Sequence, residues 1–451
     1  MINENQVISG WGRNSYAKVN IFEPLREEQI REKIIHSRKR SLITRGLGRS
    51  YGDSAQLDKE TVIFLKNFNG VNIDKNNNEI IAQGGVSFDE ILSIIIPQGY
   101  FLPVSPGTRY VTVGGAIAAD VHGKNHHKDG TFGKNVKRLL LMDGKGELLE
   151  LSKNDESEEN RAKFWATVGG MGMTGVILEA TFSLIPISCS FISVDTSRHE
   201  NLDGLMDKMI ESDKSHRYSV AWVDSLNKNF RGVLTCGNHA HEKLLPINLK
   251  SKALQYDIKS LGKTPNLIPG GLLNQLTVKA FNEAWYRKSP KLKEGELQSI
   301  GKYFYPLDGI KDWNLIYGKQ GFIQYQFVIP DMASYMVRYT LEVLRKLPAS
   351  CFLTVLKRFG NVNPSPLSFP IPGWTLAIDI PANTPNLYEE LNKLDAKIVS
   401  EGGRIYLAKD SRQSSETFSK SYPRLMEWLK IKETLDPKNI FMSDCFKRLL
   451  Y

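Results

Sequence analysis

Two glycine-rich runs constrain this chain more than any other feature: Arg45-Gly-Leu-Gly-Arg-Ser-Tyr-Gly-Asp53 and Pro106-Gly-Thr-Arg-Tyr-Val-Thr-Val-Gly-Gly-Ala-Ile-Ala-Ala-Asp-Val-His-Gly-Lys-Asn125. Each mixes Gly with small hydroxyl residues, and each follows or opens an apolar segment. Gly lets backbone amides approach a ligand closely, and consecutive amides at a turn or helix start form an anion-binding nest. Two such loops in one domain suit a ligand with a diphosphate and a long flat body, which points to a dinucleotide.

At 451 residues the chain is long enough for about two or three domains with real cores. Its 41% hydrophobic and 24% charged residues are ordinary for a soluble globular protein and exclude disordered and fibrous classes. The net charge of +10 fits either a solvated surface or attraction to an anionic partner, such as phospholipid headgroups or a phosphorylated substrate. The basic residues are scattered, without a zinc-finger, helix-turn-helix or RNA-binding aromatic pattern, so nucleic acid is not expected as a partner. Cys189, Cys236, Cys351 and Cys445 lie far apart with no Cys-x-x-Cys pair, which argues against a metal knuckle, a redox dithiol or a disulfide framework. The start, Met1-Ile-Asn-Glu-Asn-Gln, lacks the pattern of a secretory signal, and no apolar run reaches the roughly 18 residues of a membrane span. The expectation is a soluble, cytoplasmic protein.

Short α and β segments alternate through the first part. Residues 23–40 have helical spacing, Ser41-Leu-Ile-Thr44 is a short strand feeding the first Gly loop, and Thr61-Val-Ile-Phe-Leu65 and Glu79-Ile-Ile-Ala-Gln83 are strand-like. Ser87 stands three residues before Glu90, a capping-box spacing, and the apolar helix that follows ends at Pro97-Gln-Gly99. Residues 136–151 read as a hairpin, and residues 164–175 as a third Gly-rich turn running into a strand over 176–186. From Ile187 the segments become longer, more strand-like and more aromatic, as in Tyr218-Ser-Val-Ala-Trp-Val223 and Gly373-Trp-Thr-Leu-Ala-Ile-Asp-Ile380. Helical stretches over 332–347 and 386–401 lie between them, which predicts an antiparallel sheet with helices on one face. Residues 244–301 mix Lys, Pro and Gly and are expected to form mobile loops, either a surface connection or a lid or membrane-touching segment. The last fifty residues return to a helical, charged pattern.

Six stretches together carry a resemblance: residues 45–53, 106–127, 164–175 and 324–330, then Leu367-Ser-Phe-Pro-Ile-Pro-Gly-Trp374 and Ala408-Lys-Asp-Ser-Arg412. In this order, over nearly the whole chain, they resemble the FAD-linked oxidases of the vanillyl-alcohol-oxidase type, and within them the branch acting on polyprenyl-phosphoryl pentoses. The resemblance implies an α+β fold with a PCMH-type FAD-binding domain in two parts, residues 1–187 and a rejoining segment 404–451. Residues 188–403 would form a substrate cap built on an antiparallel sheet. Many relatives tether FAD through a His in the first loop, where this chain has Arg49, so non-covalent FAD is implied. The contacts carried over are Arg45, Gly46, Leu47, Gly48, Arg49, Ser50, Tyr51 and Gly52 in the first loop, and Gly107, Thr112, Val113, Gly114, Gly115, Ala119, Val121, His122, Gly123 and Asn125 in the second. Ile177 and Tyr406 complete the set.

Oxidising a secondary alcohol with a flavin requires loss of a hydride and of a proton, and the base must sit within hydrogen-bond reach with a pKa near the working pH. The resemblance puts Lys409 against the flavin, where burial beside other cations would ease loss of its proton. Lys409 is therefore either the base or a cation that binds substrate or stabilises reduced flavin. His122 is either a cofactor or substrate contact or a proton-transfer group. The His126-His127 pair has no third ligand at useful spacing, so no metal is expected. Tyr51, Gln324, Gln326, Lys357 and Thr375 are candidates for the substrate, Gln324 and Gln326 sharing one strand face. A well-studied member of the branch has Cys in place of Ala377 and Asn in place of Thr375, which bears on thiol-directed inhibition and sugar contacts but not on the redox step.

The implied reaction is oxidation of the 2′-hydroxyl of a polyprenyl-phosphoryl pentose to a ketone, the first half of an epimerisation that a separate NAD(P)H-dependent keto-reductase completes. A lipid-linked phosphosugar fits the basic balance, with the protein held peripherally at the anionic inner-membrane face. Two alternatives stay open: a sugar-lactone or alditol oxidase acting on soluble sugars, and a flavin-fold protein that binds polyprenyl phosphates without catalysis.

Overall fold

The computed structural model describes residues 2–256, 262–264 and 274–451. Strands β1 (Ile2–Ser9), β2 (Tyr16–Phe22), β3 (Leu42–Arg45) and β4 (Thr61–Phe64) form a first sheet in the order β1-β2-β4-β3, with β4 parallel to both neighbours. Leu42 and Ile43 are fully buried, so β3 is anchored in the core and delivers Arg45 at its end into the first Gly loop. Helix α1 (Glu27–Ile35) packs Ile30 and Ile34 beneath this sheet and fills only the middle of the expected helical stretch.

The second sheet is antiparallel, with β5 (Val71–Asp74), β6 (Glu79–Gln83), β7 (Val136–Met142), β8 (Leu148–Ser152) and β9 (Val176–Ser183) in the order β5-β6-β9-β7-β8. Helix α2 (Phe88–Ile95) buries Phe88, Ile91, Leu92 and Ile95 in the same core, as their spacing requires. Its capping box is closed: the Ser87 hydroxyl accepts from the Glu90 amide at 3.2 Å, and the Glu90 carboxylate accepts from the Ser87 amide at 2.8 Å. The second Gly run opens the short helix α3 (Val113–Ala118), capped by Thr112. Residues 164–175 differ from the expected turn. Helix α4 (Glu158–Thr167) continues through Phe164 to Thr167 because Phe164 and Ala166 are buried, and only then does the chain turn.

The third sheet has eight strands and is antiparallel throughout. Its members are β10 (Phe191–His199), β11 (Tyr218–Val223), β12 (Gly232–His239), β13 (Leu292–Ser299), β14 (Phe322–Ile329), β15 (Thr354–Phe359), β16 (Gly373–Pro381) and β17 (Arg404–Ile405). They run in the order β13-β10-β12-β11-β15-β16-β14-β17. Helices α5 (Leu202–Ser212), α7 (Tyr335–Lys346) and α8 (Leu387–Ser400) cover one face and share a core with Ile323, Tyr325, Leu356, Leu376 and Ile378. Side chains alternate across a strand, so Gln324, Gln326, Val355, Lys357 and Ala377 point the other way, toward a cavity.

The expectation of loops over 244–301 is overturned for its second half. Helix α6 (Gln275–Lys288) and strand β13 occupy 275–299. Among the residues of α6 only Val278 and Asn282 are buried, so the helix carries too few core positions for an apolar period to show in the sequence. Residues 265–273, part of the same expected loop, lie outside the described residues.

The C-terminal segment adds β17 to the large sheet and then runs through α9 (Ser415–Ser421), α10 (Leu425–Leu435) and α11 (Asp444–Leu450). Phe441 bridges Leu42 in parallel fashion, and the Asp444 amide donates to the Gln56 carbonyl. Arg448 of α11 reaches Asp53 Oδ1 and Asp410 Oδ2, both at 3.0 Å, which ties the end of the first Gly loop to the Lys409 turn. Among the described residues no helix is long and apolar enough to cross a membrane, no metal-holding group of His, Cys, Asp and Glu occurs, and the four cysteines are buried and free.

Candidate active site

The three glycine-rich turns and the inner face of the large sheet enclose one cavity of about 1760 Å³. This exceeds the roughly 300–1,000 Å³ of a typical small-molecule pocket, so it has room for a dinucleotide and a second ligand. The two Gly runs touch at Gly46 and Thr112, where an added Cβ would lie 2.3 Å from Thr112 Oγ1. No other residue permits that approach.

Most residues expected to hold the cofactor line this cavity. They are Arg45, Gly46, Leu47, Gly48, Arg49, Ser50 and Tyr51, then Gly107, Thr112, Gly114, Gly115, Ala119, Val121, His122 and Gly123, with Ile177 and Tyr406. Gly84, Gly85, Gly172 and Gly175 join them from other turns. Arg49 stacks on Trp11 at 3.9 Å, and its Nε is buried with no hydrogen-bond partner among the described residues. Burial lowers the pKa of Arg45 to about 10, while its guanidinium donates to the carbonyls of Ala55 and Ser9. The cavity wall contains no cysteine among the described residues, and His122 is its one histidine.

Four expected site residues stand back from the cavity. Gly52 packs against the backbone of Asp410. Val113 points into the core, because the first turn of α3 turns that side chain inward. Asn125 does not line the cavity: its Nδ2 donates to the Pro103 carbonyl at 2.8 Å and to Asp129, and its Oδ1 is buried with no partner among the described residues. Thr375 donates to the Phe327 carbonyl at 2.8 Å and accepts from Gln326 Nε2 at 3.1 Å, so it fixes Gln326 and does not face a ligand.

The remaining candidates converge. Lys409 Nζ lies 3.5 Å from the centre of the Tyr51 ring. Burial holds the Lys409 ammonium down to about pKa 7, with Asp379 opposing that shift and Lys357 adding to it. Asp379 is itself raised by burial, and accepts from Gln324 Nε2 at 2.6 Å. Gln326 Nε2 also contacts His122 Nε2 at 3.1 Å. Because that amide donates, His122 carries its proton on Nδ1, which is buried with no partner among the described residues. Burial first, then Lys357, His126 and Lys409, push His122 well below its usual pKa, so the ring is neutral at pH 7. His126 and His127 go to different partners, the Gly360 amide and the His216 carbonyl. A lysine whose ammonium loses its proton near pH 7, a neutral imidazole and two oriented amides around one space can take up a hydroxyl proton and hold a polyol.

Two residues escaped the sequence reading. Asp379 sits beside a strand residue chosen for other reasons. Lys124 lies inside the second Gly run, lines the cavity, and stands 4.2 Å from the Tyr303 ring centre. A lone cation within a glycine-rich loop was the available signal for it.

A family model described as an FAD binding domain matches residues 21–152, and one described as D-arabinono-1,4-lactone oxidase matches residues 377–449. The chain is 37% identical to decaprenylphosphoryl-beta-D-ribose oxidase of Mycolicibacterium smegmatis, over 98% of this chain and 97% of that one. It is 30% identical to an uncharacterized protein in the mprA 5′ region of Streptomyces coelicolor, over 81% of this chain and all of the other. It is 22% identical to L-gulonolactone oxidase of Scyliorhinus torazame, over 95% of this chain and 94% of that one.

Proposed function

The chain belongs to the family of FAD-linked oxidases that includes decaprenylphosphoryl-beta-D-ribose oxidase, and is an FAD-dependent oxidoreductase; from that premise we propose that it oxidises the 2′-hydroxyl of a polyprenyl-phosphoryl pentose to a ketone. The observation that carries this reading is identity sustained over 98% of the chain with a protein named for that substrate.

The residues fit a flavin dinucleotide. Glycines bring two loops into contact, and the buried Arg49 Nε and His122 Nδ1 offer donors to a bound group. Bound FAD would supply a two-electron acceptor for the hydride leaving the carbinol carbon. The free amine of Lys409 takes the hydroxyl proton, which leaves a carbonyl at C2′. Tyr51, Gln324 and Gln326 hold the sugar, Thr375 and Asp379 keep the two amides turned toward it, and Lys357 adds a cation. In this reading residues 1–187 with 404–451 bind FAD and residues 188–403 form the cap. An NAD(P)H-dependent keto-reductase would consume the ketone. The protein works on the cytoplasmic side, held peripherally at the anionic face of the inner membrane.

Anaerobic mixing with a polyprenyl-phosphoryl ribose is expected to bleach the flavin band, while free ribose, alditols and sugar lactones leave it yellow. Bleaching by a soluble lactone or alditol alone would instead assign the chain to the class of the lactone-oxidase match. FAD is held without a covalent bond, because Arg49 stands where a tethering His would be. Acid precipitation is therefore expected to release all the flavin into the supernatant; flavin retained in the pellet would refute this.

A further inference from the structure

One register row crosses the cavity face of the large sheet. Gln326 pairs with Ala377, Ala377 with Val355, Val355 with Trp222, and Trp222 with Val233. Strands lie about 4.8 Å apart, so the row spans roughly 19 Å. Its chemistry changes steadily, from an amide at β14, through a methyl at β16, to an aromatic and aliphatic stretch on β15, β11 and β12. Beyond Trp222 the apolar lining continues onto α6 with Phe281 and Trp285.

Lys357 stands two residues from Val355 on the same face, where the polar part of the row gives way to the apolar part. Lys124 approaches from the second Gly run, its carbonyl accepting from the Ser219 amide within β11. Its ammonium donates to the Tyr303 carbonyl, which leaves two of its three N–H donors without a hydrogen-bond partner among the described residues. No carboxylate among the described residues pairs with either lysine. Two cations withdrawn from water without a counter-charge are costly, and the cost falls when an anion enters between them.

We propose that Lys124 and Lys357 form a phosphate subsite, which takes the phosphodiester of a prenyl-phosphoryl sugar while its prenyl chain runs over Val355, Trp222 and Val233. This rests on the reading of the substrate given above and places its three parts along the sheet: sugar at β14, phosphate at β15, hydrocarbon at β11 and β12. Burial, with repulsion from Lys357, holds Lys124 at a pKa of about 7, and burial holds Lys357 at about 8, so an arriving phosphate restores charge to both.

Calorimetric titration of the flavin-loaded protein with farnesyl phosphate, farnesol and inorganic phosphate tests the proposal without any sugar. Farnesyl phosphate is expected to bind, and more tightly than either of the others. Lys124→Met and Lys357→Met should each weaken it about 10- to 100-fold and leave farnesol unchanged, since hydrogen bonds to charged groups carry that much. Lys357→Arg should restore most of the loss. Unchanged farnesyl phosphate binding in both Met variants would overturn the subsite, as would a loss of FAD content in its place, which would give the lysines to the cofactor's diphosphate. Inorganic phosphate binding as tightly as farnesyl phosphate would overturn the prenyl path. A protein that binds farnesyl phosphate through these lysines but is not reduced by the ribosyl compound would refute the oxidation and leave the subsite standing.

Discussion

Lys409→Met is expected to keep its FAD and to slow anaerobic flavin reduction by about 10²- to 10⁴-fold, the range for loss of a positioned acid–base group. The expectation rests on placement: Nζ lies against the Tyr51 ring at 3.5 Å, inside the cavity and withdrawn from water. Its pKa of about 7 fixes the sign of the pH dependence. A free amine that accepts the hydroxyl proton is present above that value, so the reduction rate should rise with pH from 6 to 8 and then level off. If the protonated cation did the work, the rate would fall over the same range. Lys409→Arg separates the roles further, because the guanidinium keeps charge but cannot lose its proton. It should be nearly as slow as the Met variant. A rising limb that survives in Lys409→Met would assign the titration to another group, such as Asp379, which burial raises to about 7.

Gly52→Val should abolish flavin loading. A Cβ at Gly52 would fall 1.8 Å from the Asp410 carbonyl oxygen and 2.9 Å from Ser411 Cβ. The first of these is backbone, and backbone cannot swing aside as a long side chain does. On its other side, a Cβ at Gly10 would meet the Gly52 carbonyl at 2.1 Å, so the loop is pressed from both directions. Overpacking alone costs about 1–3 kcal/mol. Here it also prises the first Gly loop from the Lys409 turn, breaking the bond from the Tyr51 amide to the Ala408 carbonyl. The flavin-to-protein ratio after purification is the measurement, and a full complement of FAD would contradict the packing argument. Gly204→Ala in α5 is the control. Its Cβ would meet only Asn201 Oδ1 at 3.4 Å, and Ala in a helix gains up to about 1 kcal/mol over Gly.

Local rules made much of this legible in the sequence. Ser87 and Glu90 announced α2, and the two-residue spacing of Gln324 and Gln326 put both on one face. The Gly runs marked the cavity because close backbone approach needs glycine wherever it occurs. What stayed hidden was set by distant partners. Nothing near Gly52 in sequence shows that Asp410 lies against it, and nothing near Thr375 shows that its hydroxyl is committed to Phe327. Asn125 and Val113 sit inside a motif that serves the cavity, yet their side chains serve the fold. Helix α6 was unreadable for a different reason: its exposed Leu276, Phe281 and Trp285 break the usual link between apolar residues and a buried stripe.

The large sheet has one further consequence. Along β14 the odd-numbered residues Ile323, Tyr325 and Phe327 lie in the helix-covered core, while Gln324 and Gln326 face the cavity. The same division holds on β16, where Leu376 and Ile378 face helices and Ala377 faces the ligand space. Substitutions at Gln324, Gln326 or Ala377 therefore act on the cavity, while those at Ile323, Tyr325, Phe327, Leu376 or Ile378 act on the helix-covered core. A lineage could thus reshape the ligand space by single substitutions such as those at Ala377, each made against a scaffold whose stability is held by the neighbour on either side.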